Sequence, residues 1–145
     1  MTGNIKYYLE DLEIGMKAQT HATITETMID TFADITGDHI PIHIDEAAAK
    51  AAGFEGRIAH GALSASFVSA VLGNDLPGPG AVFVELNLRV RKPALIGDEI
   101  TAIAEVVEIN DRTGRVKMRC HCEVDGVKIC RGDAGVFVTK RPAED

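Results

Sequence analysis

The segment from Ile58 to Asn74 (IAHGALSASFVSAVLGN) contains no charged side chain, and it constrains the fold more than any other part of the chain. From Gly61 to Leu72 its residues are small or apolar on every helical face, a pattern typical of a helix that is buried on all sides. Gly73 is expected to end this helix. A helix of this kind needs a surrounding layer of structure, and β-strands are predicted directly after it.

Four stretches in the second half of the chain alternate between apolar and polar residues, as strands with one buried face do. The first places Val82, Val84, Leu86, Leu88 and Val90 on one face. Asp125-Gly126 is a strong signal for a tight hairpin. The four predicted strands cover residues 81–92, 99–110, 115–124 and 127–139.

A fifth, polar strand is predicted at residues 17–24, on a sheet edge. We therefore predict a single α+β domain over residues 1–145. Its antiparallel sheet has about five strands and one apolar face, which the helix 61–72 covers.

A helical block is predicted between the first strand and the uncharged segment. Thr25 is a suitable N-cap, and an apolar face follows at helical spacing. Gly37 is placed to end this helix in a left-handed conformation. Asp45 is expected to cap a short second helix (EAAAKAA) that Gly53 closes. The apolar face of the first helix is predicted to contain Met28, Ile29, Phe32 and Ile35.

Composition excludes several classes of function. The net charge is −7, which argues against a nucleic-acid-binding surface. The N-terminus lacks the apolar core of a signal peptide, and the longest uncharged segment is short for a bilayer span, so a cytoplasmic protein without membrane association is expected. The three cysteines, Cys120, Cys122 and Cys130, lack the C-x-x-C spacing of zinc or redox sites and are interpreted as reduced thiols.

Asp38 and His43 lie on either side of Pro41 and form the first candidate site. Because Gly37 ends one helix and Pro41 imposes a bend, the two side chains are expected to converge. A carboxylate and an imidazole can hold a water molecule between them, one accepting its proton while the other orients it. A turn-capping aspartate beside a surface histidine is an equally good interpretation of the spacing alone.

His60-Gly61 opens the uncharged helix. A helix N-terminus presents unpaired N–H groups, and a glycine lets a ligand oxygen approach them closely. This arrangement is suited to an oxyanion forming on a carbonyl group. His60 itself is interpreted as a hydrogen-bonded structural histidine.

Two other kinds of site are disfavoured. Ser64, Ser66 and Ser69 have no G-x-S-x-G context, so a serine nucleophile is not expected, although one of them is a candidate for supporting the site. Metal binding by His39, His43 and His60 is disfavoured because the first two span a proline-broken turn. No cofactor is expected. Four basic side chains are candidates for contacting phosphates, although most such charges are solvated: Arg57, Arg89, Arg91 and Lys92.

The combination FADITGDHIPIHID followed by FEGRIAHGALSASFVSAVLG resembles the motif of the MaoC-like dehydratases, the (R)-specific enoyl-CoA hydratases. The resemblance implies a hot-dog fold, an antiparallel sheet wrapped around one long helix, and a homodimer. It also implies that Asp38 and His43 activate water, that the Gly61 N–H binds the thioester oxygen, and that Ser69 supports the pair. The chain departs from the pattern at Ile40, where the family has asparagine.

The function expected from this resemblance is reversible hydration of trans-2-enoyl thioesters. The acyl carrier, coenzyme A or an acyl-carrier protein, remains open. Two alternatives remain as well. One is a hot-dog thioesterase, in which Asp38 activates water against the carbonyl carbon. The other is a non-catalytic module that binds acyl thioesters.

Overall fold

The computed structural model describes residues 4–144. Five strands form one antiparallel sheet. They are β1 (Lys17–Thr23), β2 (Ala81–Val90), β3 (Glu99–Ile109), β4 (Arg115–Val124) and β5 (Val127–Val138). Their order in the sheet is β1-β3-β4-β5-β2, which is the predicted hot-dog architecture with β1 at one edge, as expected, and β2 at the other.

Four helices connect β1 to β2, and their caps explain their bounds. The Thr25 hydroxyl accepts a hydrogen bond from the Met28 N–H, and Gly37 ends the first helix at φ 79°. The Asp45 carboxylate accepts hydrogen bonds from the N–H groups of Ala47 and Ala48. The helices are α1 (Glu26–Thr36), α2 (Pro41–Ile44), α3 (Glu46–Ala51) and α4 (Gly61–Asn74).

The buried face of α1 differs from the prediction at one position. Ile29 and Ala33 are fully buried, but Ile35 is 78% exposed. Helical spacing assigns Ile35 to the edge of the apolar stripe. No other part of the described chain covers that edge closely enough to bury Ile35.

α4 packs against the sheet and contacts four of its strands. Its inner face is buried as predicted, with Val68 and Val71 fully inaccessible. The prediction of a helix buried on all sides was wrong, since Ala62, Ser66 and Ser69 are exposed. The sheet wraps only one side of the helix. Gly73 lies inside the helix, which continues to Asn74.

The predicted single face of β2 is interrupted by an irregularity between Phe83 and Glu85. Leu86 pairs with buried Ala134, whereas Val82 pairs with exposed Phe137. Successive residues of a strand point to opposite faces, so Ala134 and Phe137, three residues apart on β5, lie on opposite faces of the sheet. Their partners Leu86 and Val82 therefore lie on opposite faces as well. The alternation of apolar and polar residues continues unbroken through this irregularity, so it could not be predicted from the sequence.

The β4–β5 hairpin has the predicted turn, since Asp125 and Gly126 both have positive φ, at 51° and 76°. The three cysteines are free and buried. In residues 4–144, no helix has the length and apolar character needed to cross a membrane.

Candidate active site

Asp38 and His43 are positioned by the turn between α1 and α2. The Asp38 N–H donates to the Thr36 hydroxyl, and its carboxylate accepts from the Ile40 N–H at 3.3 Å. Pro41 then begins α2, where its missing N–H costs nothing and its fixed φ favours the helix. This single turn of helix carries His43 back toward Asp38.

The ring of His43 is buried, and its environment defines its tautomer. Its Nδ1 lies 2.8 Å from the carbonyl oxygen of Ile58. A carbonyl only accepts hydrogen bonds, so Nδ1 carries the proton and Nε2 is left with a free lone pair. His43 therefore offers Nε2 as a proton acceptor.

The side chain of Arg57 is hydrogen-bonded to the main chain of His43. Its Nε donates to the His43 carbonyl at 2.6 Å, and its guanidinium pairs with Glu26 at 2.8 Å and Asp30 at 2.5 Å. The side chain is only 7% exposed. The expectation that such charges are solvated was therefore wrong for Arg57. The sequence feature that could have indicated its burial is its position directly before the uncharged segment.

His60 joins Asp38 and His43 in one cluster. One nitrogen of each ring and one Asp38 carboxylate oxygen all lie within 4.8 Å of one another. The His60 ring stacks on that of His43, with centroids 3.9 Å apart and planes 24° apart. The structure thus brings together the predicted acid–imidazole pair and adds a third side chain.

Within residues 4–144, these three side chains are close enough together to hold a metal ion, but their orientation does not suit one. The rings of His43 and His60 are nearly parallel, so the lone pairs in their planes run alongside one another. A bound ion needs ligand lone pairs that converge on one point about 2.0–2.2 Å from each ligand atom. His43 Nδ1 and His60 Nε2 are also already hydrogen-bonded to carbonyl groups. His39, the third histidine weighed in the sequence, instead pairs with Asp34.

A cavity of about 200 Å³ opens beside His43. Gly61 lies on its wall, and as the first residue of α4 it has an N–H with no acceptor inside the helix. Buried Ser64 also lines this cavity, a position that the sequence did not single out among the three serines. The remaining lining residues include Phe54, Ile58, Val90, Arg91 and Lys92.

Ser69 lies on the exposed side of α4, eight residues after Gly61. Eight residues correspond to about 12 Å along a helix axis. Its supporting role stays a prediction.

Comparison with known proteins places these features in context. The model of the MaoC like domain matches residues 11–128. An (R)-specific enoyl-CoA hydratase of Rhodospirillum rubrum is 42% identical over 94% of this chain and 95% of its own length. A 3-hydroxybutyryl-CoA dehydratase of Methylorubrum extorquens is 41% identical over 95% and 88%.

Solved structures agree with the sequence relatives. The unliganded R-hydratase PhaJ1 of Pseudomonas aeruginosa superimposes with a TM-score of 0.87 at 33% identity. The match covers 92% of this chain and 86% of that structure. Both the fold and the overall length are therefore shared with hydratases.

Proposed function

The chain belongs to the MaoC-like domain family, and from this premise we propose that it is a hydro-lyase that adds water reversibly, with (R) specificity, to trans-2-enoyl thioesters. One observation carries the proposal most directly. His43 borders the same cavity as Gly61, while Asp38 lies within 4.8 Å of His43. An acid–imidazole pair and a helix N-terminus thus meet at one place.

The pair supplies the nucleophile. Unprotonated His43 Nε2 and the Asp38 carboxylate both accept hydrogen bonds, so a water molecule between them donates both of its hydrogens. Its lone pairs are then free to attack C3 of the substrate. As the oxygen–C3 bond forms, one acceptor takes the proton from water and the electron pair of the double bond moves toward the thioester. A proton delivered to C2 completes the addition.

Gly61 is proposed to stabilise the charge that develops on the thioester oxygen. Its free N–H stands at the positive end of the α4 dipole, where negative charge is favoured. The absence of a side chain lets the oxygen approach the N–H. A preorganised donor of this kind typically contributes two to three orders of magnitude to a rate.

The substrate class follows from the relatives, which act on acyl thioesters. The two relatives described above carry coenzyme A in their names, and we propose a coenzyme A ester as the substrate. Arg91 and Lys92 line the cavity, and their positive charge supports the proposal of a phosphate-bearing carrier.

Two serines are candidates for supporting the pair. The family resemblance assigns this role to Ser69, whereas burial and the cavity wall favour Ser64. We keep Ser69 as the residue implied by resemblance and propose Ser64 as the serine nearer to the reacting atoms.

We further propose that residues 1–145 form one domain and that two copies pair through β2. This edge strand has a free row of backbone groups, which is a template for pairing with another strand. Several of its apolar side chains are exposed, which is unusual for a single chain in water. They are Val82, Val84, Leu86 and Val90, at 62%, 45%, 37% and 48%.

The proposal is tested with a panel of trans-2-enoyl thioesters of increasing acyl length, each on coenzyme A and on acyl-carrier protein. Hydration is followed by loss of the enoyl absorbance, and free thiol is measured in the same reaction. Hydration without thiol release is the expected result. Thiol release without hydration would establish the thioesterase alternative, and binding without either reaction would establish a non-catalytic module.

A further inference from the structure

His60 contacts both members of the proposed catalytic pair. Its Nε2 lies 3.0 Å from the main-chain carbonyl oxygen of Asp38. One face of its ring stacks on His43, and Phe32 packs nearby with its centroid at 4.8 Å. The side chain is 2% exposed. A single buried ring therefore touches the backbone of the acid and the ring of the base.

The other ring nitrogen of His60 has no partner. Because the Asp38 carbonyl only accepts, the Nε2 of His60 must donate, and Nδ1 is left as the second polar atom of the ring. Within residues 4–144, Nδ1 is the one buried side-chain nitrogen or oxygen without a hydrogen bond. Leaving such an atom unpaired is costly for stability. A residue selected only to fill this space would be apolar.

His60 acts through its neighbours rather than on the substrate. The cavity beside His43 is lined by His43, Gly61 and Ser64, but His60 is not on its wall. Its own carbonyl accepts hydrogen bonds from the N–H groups of Leu63 and Ser64, which anchors it to the first turn of α4. His60 thus joins the Asp38 turn, the His43 ring and the start of the Gly61 helix.

We propose that His60 is a positioning residue for the hydration reaction, which holds the Asp38 carbonyl through Nε2 and the plane of the His43 ring by stacking. This proposal rests on the proposed hydratase function. It also accounts for the unpaired Nδ1, because local violations of the rules of burial are typical of functional sites. The unpaired Nδ1 lowers the stability of the fold, but the same ring fixes the positions of Asp38 and His43.

Three substitutions separate the contribution of the Nε2 hydrogen bond from that of the aromatic ring stacked on His43. His60→Gln places an amide nitrogen near the position of Nε2 and keeps the donor to Asp38. His60→Asn reaches only the position of Nδ1 and loses that donor. His60→Phe keeps an aromatic ring on His43 and removes both polar atoms. His21→Gln, on the exposed edge strand β1, is the matched control.

We expect kcat to fall about 10- to 100-fold in His60→Phe and His60→Asn, with KM within about twofold of wild type. His60→Gln should retain kcat within about fivefold, because it keeps the donor to the Asp38 carbonyl and loses only the stacked ring, which we expect to be the smaller contribution. Melting temperatures are measured alongside. His60→Phe should lose only moderate stability, because removing the unpaired Nδ1 offsets part of the cost of leaving the Asp38 carbonyl without its donor. A full loss of stability with normal kcat per folded molecule, or equal kcat in all three variants, would overturn the proposal.

A second readout does not depend on turnover. Hydrogen exchange of the peptide covering residues 38–44 reports the order of the Asp38 turn, because the N–H groups of Ile40 and His43 are hydrogen-bonded within it. Exchange should be about tenfold faster in His60→Phe and His60→Asn and unchanged in His60→Gln. Unchanged exchange in all variants rejects the positioning role even if the wild type proves inactive on enoyl thioesters. An inactive wild type with the expected exchange pattern rejects only the hydratase assignment.

Discussion

Gly61 faces the side chain of Val90 across the start of α4, and a methyl group on residue 61 would lie 3.2 Å from Val90 Cγ2. Gly61→Ala is therefore expected to crowd the space that the thioester oxygen needs beside the residue 61 N–H. We expect kcat/KM for crotonyl-CoA hydration to fall at least about tenfold, since oxyanion donors act only at close range. Initial rates and thermal melting provide the measurement.

Gly73→Ala is the matched control on the same helix. Within residues 4–144, nothing beyond the adjacent residues and the nearby backbone of α4 lies within 4 Å of the added methyl group. The substitution should leave hydration unchanged and stabilise α4 by about 0.5–1 kcal/mol, because alanine is the better helix former. Equal loss of activity in both glycine variants would refute the role of Gly61.

Removing either member of the pair should abolish activation of water. Asp38→Asn and His43→Asn are each expected to lower the hydration rate by two or more orders of magnitude in a folded protein, the typical contribution of acid–base groups. The change in crotonyl-CoA absorbance is measured with circular dichroism as a check of folding. Asp34→Asn, an exposed acid on α1, is the control and should keep wild-type rates. Variants of the pair as fast as wild type would exclude the mechanism.

Ser64 and Ser69 are distinguished by removing one hydroxyl at a time. Ser64 is 2% exposed and borders the cavity, so Ser64→Ala should lower kcat by about three- to tenfold. Ser69→Ala should have a smaller effect, because its hydroxyl is on the exposed side of the helix. Steady-state kinetics of both variants under identical conditions make the comparison. A larger effect at Ser69 would favour the assignment by resemblance.

Pairing through β2 should be sensitive to charge on that edge. Val84→Lys adds a solvated charge to an edge strand, which opposes strand addition. We expect the wild type to sediment as a dimer at micromolar concentration and Val84→Lys to shift toward monomer. Lys117→Glu changes a charge on β4, away from the edge, and should leave sedimentation unchanged. A monomeric wild type would contradict the proposal.

The buried thiol of Cys120 should make the free energy of unfolding decrease as the pH rises into the alkaline range. Burial, reinforced by the negative charge of Asp133, raises the pKa of this thiol to about 12. Above the ordinary thiol pKa of about 8.5–9, the unfolded chain releases a proton that the folded chain retains, so unfolding becomes easier as pH rises. Between pH 8 and pH 10 the wild type should lose about 1.4–1.9 kcal/mol more unfolding free energy than Cys120→Ala. Denaturant titrations at the two pH values measure the difference, and parallel losses would contradict it.

The elements themselves were largely predictable, because local chemistry decides them. The Thr25 and Asp45 caps, the Gly37 terminus and the Asp125-Gly126 turn each depend on a few adjacent residues, and all four are present. Alternation predicted the strands because one face of the sheet is buried. Ile35 was misassigned because periodicity cannot show how far the covering layer extends.

The site was predictable as a set of chemical groups but not as an arrangement. The sequence singled out Asp38, His43 and Gly61, since a proline bend and a glycine-led helix leave local traces. The burial of Arg57 was missed because its ion-pair partners, Glu26 and Asp30, lie 31 and 27 residues earlier, on α1. Long-range ion pairs of this kind leave no periodic pattern in the chain.

The sequence by itself determined the order of elements, the uncharged helix and the acid and imidazole that we propose activate water, all of which follow from side-chain chemistry over short distances. Only the tertiary structure decided that the His60 ring stacks on His43 and that its Nδ1 is left without a partner. Tertiary structure also decided that Ser64 rather than Ser69 borders the cavity. These outcomes depend on how α1, α2 and α4 pack together, and packing joins residues whose separation along the chain carries no signal.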